Sequence, residues 1–94
     1  MDGSNFIFTC VIIKEEAGYS SLCLELDIAS EGDTLQEAKS NLREAVQLYL
    51  ETAIESNLPI IRPVPQGENP LITQPQSVMK VYKMKVNLKV RILA

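Results

Sequence analysis

Histidine and tryptophan are absent from this 94-residue sequence, and cysteine occurs only twice, as Cys10 and Cys23. Without histidine, two cysteines do not complete the ligand set of a structural zinc site. A histidine general base or a histidine-containing triad is excluded for the same reason. The four glycines are scattered along the chain, so a glycine-rich phosphate-binding loop is excluded as well.

Long apolar runs and a basic leader are also missing. No apolar run approaches the ~20 residues that a membrane helix requires. Residues 1–5 lack the basic region of a secretory signal. We therefore interpret the chain as a cytoplasmic protein with no membrane segment. A reducing cytosol disfavours a disulfide, so we expect Cys10 and Cys23 to be buried free thiols.

Length and composition predict one globular domain over residues 1–94, with 46% hydrophobic and 22% charged residues. The net charge of −3 is unevenly distributed. Residues 1–58 hold eleven acids and three bases, whereas residues 59–94 hold one acid and six bases. Such a division is typical of an interaction surface or of pairing within the molecule.

The clearest element is a helix over residues 34–56. Thr34 followed by Glu37 is a capping box, in which the Thr34 hydroxyl accepts a free helix N–H and the Glu37 carboxylate accepts the N–H of Thr34 itself. Apolar residues then recur every three or four positions and form one stripe. Asn57 suits a left-handed position after the helix, and Pro59 prevents its continuation.

Before the helix, residues 6–13, 19–26 and 27–31 predict three antiparallel strands. The register of the first hairpin stays open, because a four-residue loop places Cys10 opposite Cys23 and a five-residue loop does not. In either register both faces of the sheet carry apolar residues. The helix covers one face, and we expect a second subunit or a partner protein to cover the other.

After the helix, residues 59–77 contain all five prolines and predict an extended linker without regular structure. Residues 78–93 then alternate between apolar and mainly basic side chains, which predicts a strand with one buried and one cationic face. A change of phase predicts a bulge near Val81. The fold class is therefore α+β: a three-stranded antiparallel meander over residues 6–58 with its helix, then a proline-rich linker and a C-terminal strand.

Part of this pattern resembles a known family. The residues that carry the resemblance are Gly18-Tyr19, Cys23-x-Glu25-Leu26, Gly32-Asp33-Thr34-Leu35-Gln36-Glu37-Ala38, Asn41-Leu42, Glu44-Ala45 and Leu48-x-Leu50-Glu51. Over residues 6–58 the chain resembles HicB-type antitoxins, although the family usually carries proline where this chain has Leu24. The resemblance implies a partial RNase H-like fold in the order β-β-β-α-β. It also implies a prokaryotic toxin–antitoxin function, in which the protein sequesters a small basic ribonuclease toxin of the HicA type.

Catalysis is not expected. Active members of the RNase H-like fold hold divalent metal ions with carboxylates on the first and fourth strands and the first helix. Here residues 6–13 and 78–94 contain no acid, so a site that needs several convergent oxygens lacks its ligands. We therefore expect no catalytic residue, no metal and no cofactor.

The expected binding residues lie in the acidic part of the chain. We predict that Glu15, Glu16, Tyr19, Glu51 and Glu55 contact a cationic toxin, because opposite charges accelerate encounter. An alternative function is a nucleic-acid-binding regulator that uses the lysine-bearing C-terminal strand. A third hypothesis is that the protein is a member of the HicB-type family that has no toxin partner. The lysines of this strand are equally consistent with a solvated strand that avoids aggregation.

We also predict that the C-terminal strand forms a homodimer or a higher homo-oligomer. The strand is too long for any of the predicted N-terminal strands to pair with fully, and the linker can carry it beyond the edge of its own sheet. Pairing the overhang with a second copy would satisfy its backbone. The predicted interface residues are Tyr82, Met84, Val86, Leu88 and Val90.

Overall fold

Four antiparallel strands and one long helix make up most of the molecule, and the computed structural model describes residues 4–88. The elements in chain order are β1 (Ser4–Glu15), β2 (Gly18–Cys23), β3 (Ile28–Gly32), α1 (Leu35–Glu55), the short α2 (Pro70–Thr73) and β4 (Val78–Leu88). Short 3-10 turns at Gln66–Glu68 and Pro75–Ser77 flank α2. The strand order is β3-β2-β1-β4. The predicted α+β class is therefore confirmed, with the C-terminal strand completing the sheet.

The hairpin between β1 and β2 has the register of the four-residue loop. Cys10 lies opposite Cys23, and Val11 lies opposite Leu22. Gly18 sets this turn, because its φ of +132° is a conformation that side chains rarely adopt. A Cβ at Gly18 would also lie 2.8 Å from the carbonyl oxygen of Gly32. The turn therefore has both a backbone and a packing reason to contain glycine.

The predicted beginning and end of α1 are both confirmed. The Thr34 hydroxyl accepts the backbone N–H of Glu37 at 3.0 Å, and the Glu37 carboxylate accepts the N–H of Asp33 at 3.0 Å. Asn57 has a φ of +55°, and the N–H of Leu58 reaches back to the carbonyl of Ala53 at 2.8 Å. This pattern closes the helix in the Schellman manner.

Replacing Thr34 by alanine is expected to lower the free energy of unfolding by about 0.5–2 kcal/mol, because a helix N–H loses its acceptor. Thr52→Ala, at an exposed position of the same helix, is the matched control and should change stability by less than about 0.5 kcal/mol. Urea unfolding of both variants measures the difference. Equal effects for the two variants would show that the cap contributes nothing.

The main core lies between α1 and the sheet face that it covers. On β1, Phe8 and Cys10 point toward the helix. The helix contributes its predicted stripe of buried residues: Ala38, Leu42, Val46, Leu50 and Ala53. Leu26, in the turn that follows β2, is also buried in this core.

Part of the second sheet face is buried within the chain itself. Val11 and Ile13 alternate with the helix-facing residues of β1, yet they are only 0% and 6% exposed. The turn Pro75–Ser77 lies next to β1, and Pro70 is itself buried. Val11 and Ile13 are therefore buried without a second subunit or a partner. Farther out on the same face, Ile7 and Val81 stay 63% and 49% exposed.

The pairing of β4 contradicts the expectation that this strand extends beyond its own sheet. It pairs antiparallel with β1 from Ile13 opposite Val78 to Ser4 opposite Leu88. β1 is longer than its apolar core of residues 6–13 suggested, so the described part of β4 has no overhang. The predicted bulge is present, as a register shift opposite Ile12 and Ile13.

The direction of β4 explains the length of the linker. Lys39 lies over Tyr82 and Arg43 reaches Lys85, so α1 and β4 run in the same direction. The end of α1 and the beginning of β4 are therefore at opposite ends of the sheet. The chain must return along a strand of eleven residues, a distance of about 36 Å at the usual rise.

Candidate partner-binding cleft

An open cleft of about 470 Å³ lies where the β1–β2 hairpin, the end of β3 and the first turn of α1 meet. The residues that line it are Glu15, Ala17, Tyr19, Ser20, Glu31, Gly32, Asp33, Glu37 and Asn41. Four of these nine residues carry carboxylates. The cleft therefore has a strongly negative character.

Two of the four carboxylates also hold the cleft in shape. Glu15 accepts a hydrogen bond from the Ser20 hydroxyl at 2.7 Å across the hairpin. Glu37 accepts the N–H of Asp33, the residue before the cap, and not the N–H of Thr34 that a capping box predicts. The carboxylates of Glu31 and Asp33 are exposed. They are therefore available to a cationic partner.

The other walls of the cleft depend on close packing. Gly32 lies against the helix start, where a Cβ would come within 2.5 Å of the Ala38 nitrogen. The Asn41 amide donates to the carbonyl of Glu31 at 2.8 Å, and the buried Ser21 hydroxyl donates to the carbonyl of Ala38 at 2.9 Å. These contacts fix α1 on β2 and β3, so the acidic side chains project from a rigid support.

A cation and an aromatic ring lie together on the hairpin. The Lys14 ammonium is 4.5 Å from the centre of the Tyr19 ring, a cation–π geometry. Tyr19 is half-buried and lines the cleft. The ring therefore offers a flat apolar surface beside the carboxylates, as aromatic residues do in many protein interfaces.

The structure brings together only part of the predicted binding set. Glu15 and Tyr19 line the cleft, and Glu16 is exposed in the adjoining turn. Glu51 and Glu55 are exposed on the last turns of α1. Glu51 is about 21 Å along the helix from Glu37 at the usual rise per residue. These two glutamates therefore belong to the opposite end of the molecule.

Sequence reasoning missed three of the cleft carboxylates: Glu31, Asp33 and Glu37. The helix cap already explains Glu37, and this local explanation hides a second role for its carboxylate. The one available signal was the density of acids between residues 27 and 37. It does not indicate which of these acids meet the hairpin, because that depends on the pairing of β2 with β3.

No arrangement for metal chemistry exists in residues 4–88, where no group of three or more acids and cysteines has a geometry that could hold a metal ion. Cys10 and Cys23 are free thiols, and both are buried. Hydrogen bonding to Cys10 and burial both raise the pKa of the Cys23 thiol, which is therefore protonated at neutral pH. Burial likewise raises the pKa of the Tyr82 phenol.

Comparison with known proteins shows the family. The UPF0150 protein ssr1765 of Synechocystis sp. is 36% identical over 74 residues, which are 77% of this chain and 86% of the relative. The chain belongs to the UPF0150 family. A second member, UPF0150 protein ssl0738 of the same organism, is 43% identical over 42 residues, 44% of this chain and 58% of its own length. No family model matches the chain, and no solved structure matches it significantly.

The residues predicted to form an oligomer interface lie mostly in the core of this UPF0150 protein. Met84 and Val86 are each 2% exposed and pack beneath α1, and the half-buried Tyr82 packs against the same core. These side chains contact their own chain because β4 presents its apolar face to the helix. Leu88 ends β4, and Val90 lies outside the described residues.

Neither helix in the described part of the chain is both long enough and apolar enough to cross a membrane.

Proposed function

We propose that this protein is a non-catalytic binding module of the HicB antitoxin type. It binds a small basic ribonuclease toxin of the HicA type in the cytoplasm and sequesters it. The toxin docks at the acidic cleft, where Glu31 and Asp33 meet its basic residues and Tyr19 contributes apolar contact. Membership of the UPF0150 family is compatible with this role.

The observation that carries the proposal is that the HicB-like residues build the cleft. Gly18 sets the hairpin turn, Gly32 allows the helix to approach, and Glu37 accepts the backbone N–H just before the cap. Tyr19 and Asp33 line the same cavity. The pattern that led to the resemblance is therefore also the pattern that shapes one surface.

The charge distribution agrees with a basic partner. The described surface around the cleft is acidic, whereas β4 and the adjacent flank of α1 carry lysine and arginine. Opposite charges mainly raise the rate of association, and salt screens that effect.

The direct test begins with the neighbouring gene, which the proposal expects to encode a short basic ribonuclease. When the two proteins are expressed together, they should purify as a complex, and RNA cleavage by the toxin should be suppressed. The UPF0150 protein alone should not cleave RNA with magnesium or manganese present. A neighbouring ribonuclease that is neither bound nor inhibited would remove the antitoxin proposal.

A charge reversal in the cleft tests where the toxin docks. Glu31→Lys is expected to slow association roughly tenfold at low salt, because it reverses the charge of a docking residue. Glu51→Lys, with the same change of charge at the far end of α1, is the matched control and should have a much smaller effect. Surface plasmon resonance at two salt concentrations measures both rates. Equal slowing by the two variants would mean that net charge, and not the cleft, attracts the toxin.

A further inference from the structure

β4 forms one edge of the sheet, and its outer backbone groups can be identified from the hydrogen-bond pattern. The N–H of Leu24 donates to the carbonyl of Thr9, so the odd-numbered residues of β1 point toward β2. The even-numbered residues of β1 therefore point toward β4, where Phe8 is paired with Met84. It follows that the N–H and C=O groups of Val81, Lys83 and Lys85 point away from the sheet.

Both edges of the sheet receive a hydrogen bond from α1, but they are not equally protected. Asn41 donates to the outward carbonyl of Glu31 on the five-residue strand β3. Arg43 donates to the outward carbonyl of Lys85 on the eleven-residue strand β4 at 2.8 Å. On β4 the outward groups of Val81 and Lys83 have no strand beside them within the described sheet. This longer edge can therefore template an added strand.

The surroundings of this edge are cationic on both sides. Lys83 and Lys85 are exposed on the face away from α1, and the Lys83 ammonium donates to the Thr9 hydroxyl. On the helix side, a groove of about 230 Å³ is lined by Gln36, Lys39, Ser40, Arg43, Tyr82 and Met84. The Lys39 ammonium lies 4.7 Å from the centre of the Tyr82 ring. No acid occurs in β4 or among the residues that line this groove.

We propose that the outer edge of β4 binds an extended acidic segment of a partner protein, which adds to the sheet as a further strand. Its backbone pairs with the outward groups of Val81 and Lys83, and its acidic side chains meet Lys83 on one face and Lys39 and Arg43 on the other. Main-chain pairing supplies affinity in such complexes, and alternate side chains supply specificity. This surface is separate from the acidic cleft and takes a partner of opposite charge.

Two other occupants fit the edge less well. A nucleic acid would satisfy the lysines, but phosphates have no donor for the outward carbonyls of Val81 and Lys83. A second copy of β4 would satisfy the backbone, but it would bring the lysines and arginines of two identical edges together. Like charges on paired strands are unfavourable, and edge lysines commonly prevent this kind of pairing.

The test uses the full-length protein and a blocked twelve-residue peptide of three Glu-Glu-Thr-Thr repeats, which places glutamates on both faces of an added strand. The expected result is saturable binding, at least tenfold tighter than for the same peptide with lysine in place of glutamate. Amide hydrogen exchange followed by NMR should show protection of Val81 and Lys83 rising at least tenfold. The even-numbered amides of β4, which already pair with β1, should change little.

Two N-methylated versions of the acidic peptide provide the matched control. Methyl groups on four consecutive central residues interrupt both edges of the peptide strand, whereas four methyl groups on alternate residues leave one edge intact, so only the first peptide should lose binding. Equal binding by both would overturn the proposal, because the contact would then not involve strand pairing. Tighter binding of a twelve-nucleotide oligothymidylate would overturn it in favour of a phosphate site. Protected Val81 and Lys83 amides in a dimer of the free protein would overturn it in favour of a second copy.

Discussion

Replacing Leu42 by alanine is expected to lower the free energy of unfolding by about 2–5 kcal/mol. Leu42 is fully buried in the middle of α1, in the same core as Val46 and Leu50. Truncation removes apolar contacts and leaves a cavity. Movement of α1 cannot fill this cavity, because the first turn of the helix is packed closely against Gly32. For a small domain this is a large fraction of the total stability.

The same helix offers a matched control for this change. Leu48 is 65% exposed, so Leu48→Ala removes the same atoms from the surface and should change stability by less than about 0.5 kcal/mol. Urea unfolding followed by circular dichroism measures both variants, and the slopes should agree if the unfolded states are alike. Similar losses for Leu42→Ala and Leu48→Ala would contradict the described orientation of α1.

Gly32→Ala is the second substitution with a large expected effect. The new Cβ would lie 2.5 Å from the Ala38 nitrogen, 2.7 Å from the Glu37 Cβ and 2.8 Å from the Glu37 carbonyl carbon. Two of these atoms belong to the helix backbone, which cannot rotate away as a side chain can. The first turn of α1 must therefore shift from β3, and overpacking of this kind costs about 1–3 kcal/mol or more.

The effect of Gly32→Ala should extend to binding, because Gly32, Asp33 and Glu37 line one cleft. A displaced first turn would move the two carboxylates relative to Glu31 and weaken toxin binding as well as the fold. Gly67→Ala is the matched control, since a Cβ there meets nothing within 4 Å. Gly32→Ala should have a lower melting temperature than Gly67→Ala and should bind the toxin more weakly. An unaltered melting temperature in Gly32→Ala would contradict the close approach of α1 to β3.

Several features could be predicted because they depend on neighbours in sequence. The capping box of Thr34 and Glu37 and the stop at Asn57 gave the ends of the helix to within a residue or two. The alternation of apolar and polar side chains predicted β4. Apolar runs followed by glycine predicted the hairpin and β3. Turn chemistry, helix periodicity and strand periodicity act over a few residues, so they can be read directly.

The sequence by itself therefore determined the order and type of the four strands and the long helix, and the uneven distribution of charge. It did not predict α2 or the 3-10 turns, because residues 59–77 were expected to lack regular structure. The tertiary structure decided the direction of β4, the burial of Val11 and Ile13 on the second sheet face and the burial of Met84 and Val86 on the first. It also decided which acids form the cleft, since Glu15 and Glu31 meet only through the register of β1, β2 and β3. These features join residues that are far apart in the chain. Local periodicity contains no information about such pairs, and packing of the whole sheet against one helix selects among them.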